Sequence, residues 1–167
     1  MKGTQILDKN QAARKIERMA YQIWENNSRE KEIVIAGIDS RGYKLAGILA
    51  KKVEEISSAK VVLVKITVNK KEPINAEVVI DREEKELKNR VVIVVDDVLN
   101  SGRTLLYALT PFLNFEVKTL SVATLLNRSY RNFPVQAKYV GTSLSTTLQE
   151  HIEVEFGKND TITAYLR

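Results

Sequence analysis

The chain has 167 residues, 44% hydrophobic and 28% charged, with 26 lysines and arginines against 21 aspartates and glutamates. That length can bury a core without disulfides or metals, and the absence of cysteine with a single histidine, His151, excludes thiol catalysis and the usual zinc sites. A metal held here must be bound through oxygen, which points to magnesium or calcium. The net charge of +5 suits phosphorylated small molecules or RNA and is diagnostic of neither.

No run approaches the roughly 18 apolar residues of a membrane helix. The opening MKGTQILDKNQ also lacks the apolar core of a signal peptide, so a cytoplasmic protein with no membrane partner is the expectation. Residues 8–27 read as an amphipathic helix. Asp8 can cap it with Gln11 three positions on, and Ala12, Ala13, Ile16, Met19, Ala20, Ile23 and Trp24 recur at helical spacing. The apolar run 33–38 reads as a buried strand, 39–42 as a turn, and 43–56 as a second helix on Leu45, Leu49, Val53 and Ile56. Strand 61–68 follows, then a turn at 69–73 and a hairpin strand at 76–80. Residues 81–90 are highly charged and read as a solvated connection. Beyond them lie a buried strand at 91–95, a short helix at 104–113 that Pro111 ends or bends, and a strand at 119–126. Tyr139-Val140, Ile152–Phe156 and Ile162–Leu166 are short strands, the last two forming a hairpin. Continuous apolar strands alternating with helices predict an α/β fold, a mainly parallel twisted sheet flanked by helices, as one domain over residues 1–167.

In such sheets ligands bind beyond the carboxyl ends of the strands, where strand order reverses. The stretch VVIVVDDVLNSGRT, residues 91–104, runs from a buried strand into two carboxylates and then a turn of small residues. A strand-to-helix turn with Ser101, Gly102 and Thr104 offers N–H groups, hydroxyls and a helix dipole to a phosphate. Asp96 and Asp97 would repel that phosphate unless a cation or sugar hydroxyls intervene; ribose and magnesium meet both requirements. Alternation along a strand sends the two carboxylates to opposite faces, so both can serve one ligand only if the strand is ending there. The Gly-Lys-Ser/Thr arrangement of a Walker loop is missing.

VIVVDDVLNSGRT resembles the phosphoribosyl pyrophosphate signature of the type I phosphoribosyltransferases, and IDSRGYKL, residues 38–45, is similar to that family's pyrophosphate loop. ILDKNQAARKIERMAYQIWE, LAGILAKKVEEI and LNRSYRNFPVQAKYVGTSLSTT extend the resemblance to a branch that joins uracil phosphoribosyltransferase activity to attenuation of pyrimidine operons. The match covers nearly the whole chain and is poor between Thr67 and Arg90. It implies a small hood region beside the sheet, transfer of phosphoribose from phosphoribosyl pyrophosphate to uracil giving UMP and pyrophosphate, Mg2+ as cofactor, and in many members a messenger leader RNA as partner. A homo-oligomer, dimer or larger, is also implied.

Residue by residue, the resemblance implies Asp96 and Asp97 for the ribose hydroxyls and the magnesium shell. Asn100, Ser101, Gly102, Arg103 and Thr104 fall to the 5′-phosphate, and Ser40, Arg41 and Gly42 to the pyrophosphate, where Arg41 supplies charge-assisted hydrogen bonds. Val98, Asn127 and Arg128 fall to the base. Basic candidates for RNA are Arg14, Lys15 and Arg18 on the first helix, with Arg128, Arg131 and Lys138 in the tail. Two departures stand out. Purine-using members commonly place an aspartate at the position of Asn100, which cannot take a proton from the base. The stretch 67–80 is short where active members carry a long closing loop, and Lys70 or Lys71 are its candidate cations. Three readings follow: a uracil phosphoribosyltransferase, a nucleotide-sensing RNA-binding regulator with weak catalysis, and a transferase for another base.

Overall fold

The apolar strands are continuous because both of their faces are covered. In the computed structural model, which describes residues 3–167, Ile33, Ile35, Val91, Ile93 and Val95 pack in one core with Ile16, Met19, Leu45 and Leu49 of the first two helices. Their neighbours Val34, Ala36, Val92 and Val94 pack in a second core with Leu105, Ala108 and Phe112. A strand between two cores has no solvent face on which to alternate polar residues.

In chain order the elements are β1 (Thr4–Leu7), α1 (Lys9–Asn26), β2 (Glu32–Ile38), α2 (Asp39–Ile56), β3 (Lys60–Thr67), β4 (Val79–Ile80), α3 (Glu84–Leu87), β5 (Val91–Leu99), α4 (Arg103–Leu109), β6 (Thr119–Arg128), β7 (Tyr139–Leu144), β8 (Ile152–Phe156) and β9 (Ile162–Leu166). The main sheet runs β4-β3-β2-β5-β6-β7, parallel throughout except for the antiparallel edge strand β4. The chain leaves β2 outward to β3 and then returns to β2's other side with β5, so strand order reverses between β2 and β5. That is the switch point at which such sheets bind ligands. A second, antiparallel sheet, β1-β9-β8, joins the two ends of the described chain.

The first helix starts as its residues specify: the Asp8 carboxylate accepts from the Gln11 N–H at 2.8 Å, and the Gln11 side chain accepts from the Asp8 N–H at 2.9 Å. Ala13 stands exposed rather than in the core, and Trp24 is half-buried. Residues 39–42 and 81–90 depart from expectation. Residues 39–42 are not a free turn but the first turn of α2. The charged stretch 81–90 folds a helical turn, α3, capped reciprocally by Glu83 and Glu86, because Leu87 inserts fully into the second core. The helix after β5 stops at Leu109 and continues as a 3-10 turn, Thr110–Leu113, around Pro111. The four residues of β1 form a strand because β9 supplies their partners, although nothing in TQIL by itself announces one. Among the described residues no helix is long and apolar enough to cross a membrane.

Candidate active site at the ends of β2 and β5

Strand β5 outruns β2. Their pairing ends at Gly37 opposite Val95, while β6 continues beside β5 as far as Leu99 opposite Asn127. From Asp96 onward β5 therefore has a neighbour on one side only, and the chain opens a cleft where β2 has already turned into α2. The strand does not end at the two aspartates, as the alternation argument requires; it loses a neighbour there, which gives both carboxylates room on the same cleft. That cleft, of about 230 Å³, is lined by Arg41, Lys70, residues 96–105 and Ile152.

Asp96 and Asp97 are 4% and 6% exposed, low values for two adjacent carboxylates. The Asp96 carboxylate accepts from the Asp97 N–H at 3.0 Å. Burial first, and then the charge of Asp97, push the Asp96 carboxyl well above the ordinary carboxylate range, while Lys70 opposes them. Gly42 permits this arrangement. A Cβ there would lie 2.7 Å from the Val95 carbonyl oxygen and 3.1 Å from an Asp96 carboxylate oxygen, so only glycine lets α2 start against the end of β5.

The start of α2 is tied to β3 as well. Asp39, at φ 49°, accepts from the Val68 N–H at 3.1 Å, and its other oxygen lies 3.9 Å from Lys70 Nζ. This tether brings Lys70 to the cleft beside Arg41. Lys71 is not on the cleft wall; its N–H, with that of Glu72, turns onto the Asn69 side chain at 3.1 Å.

The turn between β5 and α4, residues 100–102, is strapped by the segment after β6. The Ser101 carbonyl accepts from the Asn132 and Phe133 N–H groups, both at 3.0 Å. Arg131 donates to the Asn100 carbonyl oxygen and, at 2.6 Å, to the Asn127 side-chain oxygen. Arg128, only 7% exposed, donates from Nε to Thr146 Oγ1 at 2.7 Å and to the Thr147 carbonyl at 2.9 Å, and reaches the Asn100 side-chain oxygen at 3.3 Å. Gly102, at φ 88°, sits directly beneath this strap. Ser101 Oγ accepts from the Arg103 N–H at 3.3 Å, closing the turn into α4.

Of the residues singled out from sequence, Arg41, Asp96, Asp97, Val98, Asn100, Ser101, Gly102, Arg103 and Thr104 share this cleft. Ser40 is exposed in the first turn of α2, next to Arg41. Asn127 and Arg128 stand behind the cleft wall and hold it through Arg131 and Asn100. The three arginines grouped for RNA do not form one free cluster. Arg14 is exposed on α1, Arg18 donates to the Val140 and Gly141 carbonyls at 3.2 and 2.5 Å, and Arg131 belongs to the strap. Ile152 on the cleft wall escaped sequence reading, because an apolar residue opening a strand carries no mark of a site.

An α/β sheet whose switch point presents paired buried carboxylates beside an α4 start and an arginine-bearing α2 start is built for a phosphorylated sugar. The chain belongs to the phosphoribosyl transferase domain family, which it matches over residues 2–159. It is 33% identical over 161 residues to the bifunctional protein PyrR of Macrococcus caseolyticus, covering 93% of this chain and 92% of that one. It is likewise 33% identical over 162 residues to the bifunctional protein PyrR of Streptococcus mutans, covering 96% and 92%. Among solved structures, a hypoxanthine-guanine phosphoribosyltransferase of Bacillus anthracis superposes with a TM-score of 0.77 at 22% identity, covering 100% of this chain and 99% of that one. The hypoxanthine phosphoribosyltransferase of Trypanosoma cruzi gives 0.76 at 14%, covering 97% and 95%. At those identities the structures speak for the shared fold alone.

Proposed function

We propose that this phosphoribosyltransferase, acting as one unit over residues 1–167 in the cytoplasm, transfers phosphoribose from phosphoribosyl pyrophosphate to uracil. The observation that carries the reading is the pairing of Asp96 and Asp97 with the 100–104 loop on one cleft, together with relatives named bifunctional protein PyrR over nearly the full chain. Residues 100–104 hold the 5′-phosphate through backbone N–H groups and hydroxyls. Asp96 and Asp97 accept from the ribose hydroxyls. Arg41, with the backbone of Ser40 and Gly42, holds the diphosphate, and Lys70 adds a second cation on that side. As pyrophosphate leaves, positive charge develops at the ribose anomeric carbon, and the two carboxylates stabilise it electrostatically. Val98 presents an apolar surface to the base.

The donor set fits magnesium. That ion takes one or two protein carboxylates and completes its shell with substrate phosphates and water, and Asp96 and Asp97 on the cleft wall would supply the carboxylates. When bound, magnesium neutralises the diphosphate and makes it a competent leaving group.

Turnover of labelled uracil with phosphoribosyl pyrophosphate and magnesium tests the reading. UMP and pyrophosphate are the expected products, with hypoxanthine, guanine and xanthine left unused. Tight diphosphate binding without any product would sink it. Asp97→Asn is expected to weaken binding of the magnesium diphosphate by about 10- to 100-fold, read by calorimetry; unchanged binding would discredit the site.

The bifunctional relatives and the exposed basic face of α1 favour a second role on a messenger leader RNA, served by the same chain. Arg14→Glu is expected to weaken leader RNA binding and to flatten its dependence on salt by about one unit of log-log slope. Arg18 and Arg131 are poorer probes, because replacing them also breaks intramolecular bonds. An RNA affinity indifferent to both salt and Arg14→Glu would remove this role.

A further inference from the structure

Asn100 has two oxygens, and arginines hold both. Arg131 donates to its carbonyl, and Arg128 NH1 lies 3.3 Å from its side-chain Oδ1. A guanidinium has donors and no acceptor, so the atom facing Arg128 must be the amide oxygen and the amide nitrogen is turned away from it. Arg128 is itself fixed by the Thr146 hydroxyl and the Thr147 carbonyl and stacks on the Tyr130 ring at 5.8 Å. Asn100 nevertheless lines the cleft beside Asp97 and Val98. Its amide nitrogen, turned away from Arg128, donates to no group among the described residues, so its N–H donors are free for a ligand there.

We propose that Asn100 is a specificity-determining donor, whose amide NH2 is aimed by Arg128 at a carbonyl oxygen of the base. This rests on the pyrimidine reading above and deepens it. Uracil carries two carbonyl acceptors, and a donor fixed in advance binds one of them without ordering cost. An aspartate at the same place would accept from Arg128 equally well, yet would turn a second acceptor toward that carbonyl. Arg128 is then a positioning residue: it acts on the base through Asn100 and not by contact.

The test compares the affinities of UMP and ribose 5-phosphate, which differ by the base alone, for the full chain by calorimetry. Asn100→Asp is expected to lower the UMP to ribose 5-phosphate affinity ratio about tenfold; the effect of the added charge on the phosphate is common to both ligands and cancels in the ratio. Arg128→Met should lower the ratio roughly fivefold by freeing the amide to rotate, and Arg128→Lys, which can still donate to Oδ1, should recover most of it. A merely structural arginine would instead weaken both ligands together. A ratio unmoved by Asn100→Asp overturns the inference and leaves the pyrimidine reading intact. Equal fall of both ligands in Asn100→Asp overturns it in favour of a phosphate-loop role. A wild-type protein that binds UMP no tighter than ribose 5-phosphate overturns the pyrimidine reading, and the inference with it.

Discussion

Replacing Asp96 with asparagine is expected to make the free protein more heat-stable and far less active. Burial and the Asp97 charge raise the Asp96 pKa in the folded chain. A carboxyl raised in this way holds its proton more tightly folded than unfolded. Its contribution to stability is therefore fully present below the unfolded pKa and is lost as pH rises through the folded one. Asparagine does not ionise and keeps what the aspartate loses. The melting temperature of Asp96→Asn should equal or fall slightly below that of the wild type in acid. It should overtake on the way up in pH and then level off, by roughly 2–4 °C for each kcal/mol of desolvation and repulsion relieved. Melts of both proteins across pH check this, and an advantage that does not grow with pH would contradict it. Activity should move the other way, with kcat/KM for phosphoribosyl transfer down by about 100- to 1000-fold, because in the proposed function the lost charge is the one that stabilises the developing positive centre. Opposite signs in the two assays are the mark of a group kept strained for function rather than for folding.

The residues that were legible in sequence are those whose local chemistry and tertiary role coincide. VVIVV reads as a buried strand because both of its faces are covered, and Asn-Ser-Gly reads as a helix start because it is one. Asp96 and Asp97 were legible as a pair, but their geometry was not. Two aspartates look like the end of a strand, whereas β5 continues to Leu99 on the support of β6 alone. That freedom comes from where β2 stops, a fact of pairing between distant segments. Leu87 was hidden for a similar reason. One leucine among charges reads as solvated until the second core claims it. Arg128 and Arg131 read as a basic tail, suitable for RNA, because composition reports a charge and not the carbonyl it answers. Their partners on Asn100 lie 28 and 31 positions away, and only the fold brings them together.

The strap leaves Gly102 no room for a side chain. Alanine there is expected to weaken phosphoribosyl pyrophosphate binding about a hundredfold, from two costs that fall on one atom. At φ 88° a Cβ is strained by about 1–2 kcal/mol wherever the neighbours stand. Here the neighbours stand close: the new Cβ would meet Arg131 Cδ and the Phe133 carbonyl oxygen, each at 3.2 Å. Neither yields easily. Phe133 is fixed by its N–H bond to the Ser101 carbonyl, and Arg131 by its bonds to Asn100 and Asn127. Relief requires the strap to lift or the loop to shift, and each movement displaces Asn100 and Ser101 from the positions in which the proposed function has them hold the phosphate. Gly47→Ala is the control. Its Cβ meets nothing closer than Leu63 Cδ2 at 3.9 Å on the regular helix α2, so stability should hold or rise by up to about 1 kcal/mol with binding unchanged. Calorimetry on both variants, with melts to confirm that each is folded, distinguishes a strained phosphate loop from a general intolerance of added bulk. Diphosphate affinity preserved in Gly102→Ala would mean that the phosphate is held elsewhere on the cleft.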